Sequence, residues 1–295
     1  MYDIEKLYEA TSVADAISAL QNDPAAIIIS GGSDVLIKIR EGKLAGCSLV
    51  SIHGIPELSG IFLEQDGTII IKPATTFSHI TYNEIIQKYI PILGNAVDQV
   101  GGPQIRNIGT VGGNICNGVT SADSASTLFT LNAVIEITGA NGKRQLPIAQ
   151  FYKSAGKVNL EHGEIVTAIR IAKENYEGFG GHYIKYAQRN AMDIATLGCA
   201  ANIKLSSDKT TVEDLRLAFG VAGPIPMRCQ KAEEAAKGQK LSSKLLEDIS
   251  AAAVSEVNPR TSWRASKDFR LQLVGELSKR AIKQAIVFAG GAVNE

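Results

Sequence analysis

Two stretches of the chain bring glycine together with small polar side chains. The first is SGGSD at residues 30–34, directly after the apolar run Ile27, Ile28 and Ile29. Glycine admits positive φ and close backbone approach, so successive N–H groups at Ser30, Gly31, Gly32, Ser33 and Asp34 can converge on an anion. Ser33 adds a hydroxyl donor. The stretch is not G-x-G-x-x-G and lacks the lysine of a G-x-x-x-x-G-K-[ST] loop, so neither a Rossmann nor a P-loop reading applies. A plain tight turn is the competing reading. The second stretch, GGPQIRNIGTVGGNICNGVTSADSAS at 101–126, carries two more Gly-Gly pairs. Here Gly112, Gly113 and Asn114 can bring backbone amides against another part of a ligand. Thr110, Asn117 and Asp123 can hydrogen-bond sugar hydroxyls or a heterocycle edge, and Arg106 can balance a carboxylate or phosphate. The competing reading is a long surface loop with a structural arginine. Together the two stretches point to a large, polar, phosphate-bearing ligand.

Other reactive side chains are sparse. Cys47, Cys116, Cys199 and Cys229 show no C-x-x-C spacing, so an iron–sulfur or zinc site built by this chain alone is not expected. His53, His79, His162 and His182 have no metal-ligand spacing. The 295 residues suit two domains, and 45% hydrophobic with 20% charged residues fits a globular protein. A formal net charge of zero leaves no electrostatic footprint for nucleic acid or an acidic membrane. Apolar runs fall short of the roughly 18 residues that span a bilayer, and the charged start MYDIEKLYEA is unlike a signal peptide. A cytoplasmic protein is expected.

The elements that must position these loops follow from periodicity. A short amphipathic helix runs from Val13 to Leu20 with Ser12 as N-cap. Ala26–Ser30 reads as a buried strand, interrupted at SGGSD, and an apolar stretch resumes at Val35–Arg40. Ser48–Ile52, Ile69–Ile71, Ala133–Ile137 and Glu164–Ile171 read as strands, with a hairpin turn at residues 65–68. Thr81–Tyr89 and Leu93–Val100 read as helices. A structureless stretch as long as 101–126 inside a compact domain is usually functional. After a polar, glycine-bearing break at residues 173–178 come strands at Tyr183–Tyr186, Leu197–Ile203 and Leu215–Val221, then helices at Cys229–Lys237, Ser242–Val254 and Ser266–Phe288. Strands followed by helices indicate an α+β module. The reading is a domain at 1–177 and a second at 178–295.

The ordered pair SGGSD (30–34) and PQIRNIGTVGGNICNGVTSADS (103–124) closely resembles the FAD-binding subunit of the molybdenum hydroxylases. The resemblance continues through IKYAQRNAMDIATLGCAA (184–201), LRLAFGVAGPIPMRC (215–229) and SWRASKDFR (262–270), and so covers essentially the whole chain. Within the family, GGNICNGVTSADSA and KYAQRNAMDIAT are most like the flavin subunit of bacterial xanthine dehydrogenases.

That resemblance implies a first domain of the vanillyl-alcohol-oxidase (PCMH) type, with two α+β subdomains and flavin between them. It implies a second domain with a three-stranded sheet and a helical bundle, like the CO dehydrogenase flavoprotein C-terminal domain. It also implies roles. Ile27 to Asp34 wrap the FAD pyrophosphate through backbone N–H groups. Gly109, Thr110, Val111, Gly112, Gly113 and Asn114 form a second wall, with Asn117 and Asp123 near the cofactor. Ile165 lies against the adenine or the ring, and Lys185 and Arg189 flank the isoalloxazine and tune its potential; for Lys185 an exposed strand lysine is the competing reading. No histidine sits in a motif for covalent flavin attachment, so the FAD is expected to be non-covalent. No inserted [4Fe–4S] loop is visible, and Ser30 stands where many relatives carry alanine. The implied partners are a molybdenum-cofactor subunit that hydroxylates a purine and a [2Fe–2S] subunit that carries electrons to this FAD. From there NAD⁺ is reduced by hydride transfer; the flavin supplies the chemistry and the protein supplies positioning and electrostatics. The alternatives are the FAD subunit of a related hydroxylase for another N-heterocycle or an aldehyde, a self-contained flavin oxidoreductase, and a non-catalytic nucleotide-binding module.

Overall fold

The computed structural model describes residues 2–293. The chain opens with a small parallel sheet of Ile4–Glu9, Ile27–Ile29 and Cys47–Ser51, with the last strand in the middle. Parallel neighbours need crossover connections, and two helices supply them. The first, Val13–Asn22, starts at Ser12, whose hydroxyl accepts from Asp15 N–H at 3.1 Å. It buries Ala16, Ile17 and Leu20 with Val50, Ile52 and Ile165. The second crossover is Val35–Arg40. The apolar stretch after SGGSD is therefore a helix and not a resumed strand: the chain must turn back to reach Cys47–Ser51 in the same direction, and Leu36 N–H already bonds Gly32 O at 3.0 Å.

The second subdomain is a five-stranded antiparallel sheet, ordered Ile61–Leu63, Ile69–Ile71, Ile165–Ile171, Val134–Gly139, Gly142–Pro147. The expected turn at 65–68 joins its first two strands, with Gly67 at φ 85°. The strand Gly142–Pro147 gives no apolar alternation because it is an edge strand whose residues are all exposed or half-buried. The helix expected over Thr81–Tyr89 is two, Phe77–Tyr82 and Glu84–Tyr89, split at Asn83, whose side chain caps the second. Residues 101–126 are not a structureless loop. They hold Pro103–Ile108, Val111–Cys116 and the start of Asp123–Thr130. Pro103 stands at the first helical turn and Thr110 caps the next helix, so local capping imposes helix on a glycine-rich composition.

The C-terminal region is a sheet of Phe179–Tyr186, Leu197–Leu205 and Val212–Gly220, antiparallel in that order, plus the two-residue edge strand Met227–Arg228. Three helices follow, Gln230–Ala236, Ser243–Glu256 and Lys267–Phe288. Side chains alternate between the faces of a strand, and both faces of this sheet are buried. Cys199, Ala201, Leu217 and Phe219 pack on the helices. Tyr183, Ala200 and Ala218 belong to the core that also holds Leu128, Phe129 and Ile135.

Candidate cofactor site

Two walls face each other. The first is the loop from Ser30 to Asp34, between strand Ile27–Ile29 and helix Val35–Arg40. Gly32 takes φ 72°, which glycine adopts without strain. Gly31 is pressed against the other wall: a Cβ there would lie 1.9 Å from Ile108 O and 3.0 Å from Gly109 Cα. Among the described residues, none of the backbone N–H groups of Ser30, Gly31, Gly32, Ser33, Asp34 and Val35 finds a hydrogen-bond acceptor. These residues are half-buried or, at Asp34, exposed, so the donors are open to a ligand or to water. Six in succession around a positive-φ glycine can converge on an anion, and such a run fits the chemistry of a pyrophosphate.

The second wall differs from expectation in how it is built. Helix Val111–Cys116 does not offer its first N–H groups to a ligand. Val111 bonds Thr75 O at 3.1 Å, Gly112 bonds Pro73 O at 2.8 Å, Gly113 bonds the Thr110 hydroxyl at 3.2 Å and Asn114 bonds Thr110 O at 3.0 Å. Gly112 is needed for packing, since a Cβ would meet Pro73 Cβ at 2.4 Å. Gly113 faces outward: among the described residues, and apart from its own helix backbone and chain neighbours, only Thr110 Oγ1 lies within 4 Å of a Cβ built there. Gly109 accepts from Phe77 N–H at 3.1 Å. The wall thus contributes shape and side chains. Thr110 reaches across and donates to Ser30 Oγ at 3.2 Å, and Asn117 Oδ1 accepts from Lys38 Nζ at 2.8 Å. These two contacts bind the walls together at both ends.

Asp123 and Lys185 come together as a buried ion pair at 2.8 Å, each side chain only 7% exposed. Lys185 Nζ also donates to Gln99 O at 2.8 Å, and Tyr183 donates its hydroxyl to the second Asp123 oxygen at 2.6 Å. Burial pushes the Asp123 carboxyl up from its ordinary value, and the Lys185 ammonium and the Tyr183 hydroxyl pull it back. Next along, the Ser124 hydroxyl donates to Asn114 Oδ1 at 2.6 Å, tying this network to the second wall. Lys185 is therefore a paired, internal cation and not an exposed strand lysine. Arg189 stands apart. Its side chain is 69% exposed, 3.6 Å from Asp193, and donates to Met192 O at 2.8 Å. Arg106 pairs with Asp98 at 3.2 Å and bonds the carbonyls of Val100 and Gly101. Ile165 is buried with Ile28 and Ala74 beneath the first wall.

Sequence reasoning missed Tyr183, Lys38, Ser124 and Pro73. Tyr183 had a signal: it lies two residues before Lys185 on one strand, so both side chains share a face. Lys38 and Pro73 meet partners far away in the chain, and Ser124 bonds Asn114 across the break between two short helices. Among the described residues no group of three or more His, Cys, Asp or Glu is placed to hold a metal ion, and no helix is long and apolar enough to cross a membrane.

The chain thus sets a run of open backbone donors against a capped, glycine-bearing helix in a two-domain α+β fold. Residues 2–173 match the FAD binding domain in molybdopterin dehydrogenase, and residues 182–285 match the CO dehydrogenase flavoprotein C-terminal domain. The chain is 45% identical over 291 residues to the xanthine dehydrogenase FAD-binding subunit of Escherichia coli O157:H7, covering 99% of each. It is 29% identical to the glyceraldehyde dehydrogenase medium chain of Sulfolobus acidocaldarius, over 96% of this chain and 99% of that one. Among solved structures, a carbon monoxide dehydrogenase from Hydrogenophaga pseudoflava that lacks the Mo-pyranopterin moiety superposes with TM-score 0.92 at 27% identity, covering 97% of this chain and 99% of that one. The chain belongs to the FAD-binding medium subunits of the molybdenum hydroxylase family. It is an oxidoreductase subunit, and its cofactor is FAD.

Proposed function

We propose that this chain carries FAD between the loop Ser30–Asp34 and the segment Gly109–Asn117, as the flavin subunit of a xanthine dehydrogenase. The observation that carries the site is the run of six unpaired N–H donors from Ser30 to Val35. In this reading Ile27–Asp34 wrap the pyrophosphate, and Thr110, Gly112, Gly113 and Asn114 form the opposing wall. Asn117 and Asp123 act near the cofactor, Ile165 supports it from below, and Lys185 acts on it as a cation already paired with Asp123. Arg189, bonded within its own turn, contributes at the rim. Bound non-covalently, FAD supplies the exchange between one-electron delivery from [2Fe–2S] clusters and two-electron transfer to NAD⁺. The chain's own part is to bind, orient and shield.

The 45% identity to a xanthine dehydrogenase subunit over nearly the full length supports purine hydroxylation as the reaction served. The substrate site would then lie on a molybdenum-cofactor subunit, with a [2Fe–2S] subunit between, in the cytoplasm. The boundary between the two domains is placed near residue 177. Purification of the native complex tests the whole reading. The expected result is one FAD per copy of this chain, molybdenum and iron on co-purifying subunits, and xanthine-dependent NADH formation. Isolation of this chain alone from its own source sinks the assembly, and xanthine turnover without NAD⁺ reduction sinks the acceptor.

A further inference from the structure

The buried hydroxyl of Tyr183 has no place in the reading so far. It reaches out of the second domain's sheet to Asp123 Oδ1, the first residue of helix Asp123–Thr130. Its path requires a glycine. Gly198 pairs directly with Lys185 across the sheet, and a Cβ there would lie 2.9 Å from the Tyr183 hydroxyl. Lys185 holds the other Asp123 oxygen from the same face of the same strand. Both Asp123 oxygens are thus held by the second domain, while the adjacent Ser124 holds Asn114 of the cofactor wall.

We infer that Tyr183 is a positioning residue for the cofactor site, which keeps Asp123 ionised so that the carboxylate grips Lys185 and holds the Asn114 wall in place. This rests on the site proposed above. A carboxylate with one oxygen bonded to an ammonium and the other to a phenol is stabilised in its charged form at both atoms. Burial and the neighbouring Asp123 carboxylate hold the Tyr183 phenol well above its usual value, so it stays a donor throughout the working range. The titratable groups acting on Asp123 are Tyr183 and Lys185, and Cys199 acts in turn on Tyr183. Without the phenol, burial acts on Asp123 with one counterweight fewer. The carboxyl then takes a proton at a higher pH, releases Lys185 and loosens the wall.

The test is FAD release from the flavin-loaded full chain as pH is lowered, followed by flavin fluorescence. In Tyr183→Phe the acid limb of FAD retention shifts upward by roughly one pH unit, the effect of one lost hydrogen bond on a carboxylate. In Asp123→Asn that limb disappears, because the titrating group is gone. Gly198→Ala, which displaces the hydroxyl without removing it, reproduces the upward shift if Tyr183→Phe fails to fold. An unshifted limb in Tyr183→Phe or Gly198→Ala overturns the inference while leaving the FAD site intact, even if affinity falls equally at every pH. A parent chain that takes up no FAD overturns the site itself.

Discussion

Thr120 holds Val221 by two bonds: the Val221 N–H donates to both the carbonyl and the hydroxyl oxygen of Thr120, each at 3.1 Å. The same hydroxyl donates onward to Gly223 O at 3.0 Å. Val221 sits at φ 67°, a conformation that a β-branched residue adopts only under constraint. The seam between the domains is therefore closed at the cost of local strain. Thr120→Val should destabilise the chain by about 1 kcal/mol through the lost hydroxyl. Val221→Gly should be neutral or stabilising, because relief of roughly 1–3 kcal/mol of strain offsets glycine's extra entropy of about 0.5–1 kcal/mol. Urea unfolding of both variants decides, and a marked loss of stability in Val221→Gly refutes the strain.

Gly31→Ala drives a methyl group into Ile108 O, where the ideal Cβ lies at 1.9 Å. Neither partner is the free end of a side chain, so the two walls must separate. Forcing extra volume into a packed site costs about 1–3 kcal/mol, which, if borne by the bound state, corresponds to a roughly 5- to 150-fold loss of FAD affinity. Gly54→Ala is the control, since nothing lies within 4 Å of its Cβ. Equal FAD content in both purified variants contradicts the two-walled site.

Glu164 and Arg144 form a two-pronged pair, with contacts of 2.7 and 2.6 Å, just before the buried Ile165. The Arg144 guanidinium holds the Glu164 carboxyl below its usual value. A depressed carboxyl contributes stability above its unfolded value and loses it as pH falls through its folded value. Arg144→Met should therefore cost about 1 kcal/mol at neutral pH, the scale of a partly exposed pair with good geometry. The gap to the parent should close below the ordinary carboxylate range. Thermal melts across that range would show a constant gap if the ion pair contributes nothing.

Thiol chemistry should be confined to one cysteine. Burial pushes Cys116 up to about 12 and raises Cys199 and Cys229 as well. A thiol reacts as its thiolate, so these three should resist iodoacetamide in the folded chain at neutral pH. Cys47, partly exposed on the strand Cys47–Ser51, should take the first label. Peptide mass mapping showing Cys199 or Cys229 labelled first would contradict the packing of the second domain.

The sequence disclosed what local rules control. Ser12 as a helix cap, the turn at Gly67 and the strand-then-helix order after residue 178 all follow from patterns within a few residues. The ordered pair SGGSD and TVGGN located both walls. It did not disclose how each wall works, because that depends on partners distant in the chain. The Val111–Cys116 amides looked available until Pro73 and Thr75 were seen to accept from them. The run 101–126 looked like a loop because its composition is poor in helix formers, whereas Pro103 at a first turn, the Thr110 cap and the burial of Asp123–Thr130 made it largely helical. Lys185 looked like a free cation because its counter-ion, Asp123, lies 62 residues away.

The sheet buried on both faces means that a border drawn along the chain is not a border in unfolding. Removing residues beyond 177 would strip Tyr183, Ala200 and Ala218 from the core shared with Leu128 and Phe129. It would also leave Asp123 as a buried charge without its ammonium. Neither half then keeps a complete interior, so limited proteolysis should release no stable fragment, and heating should melt the chain in one cooperative step. Evolution can therefore exchange the surface of either half freely, but it must alter the two sides of this seam together.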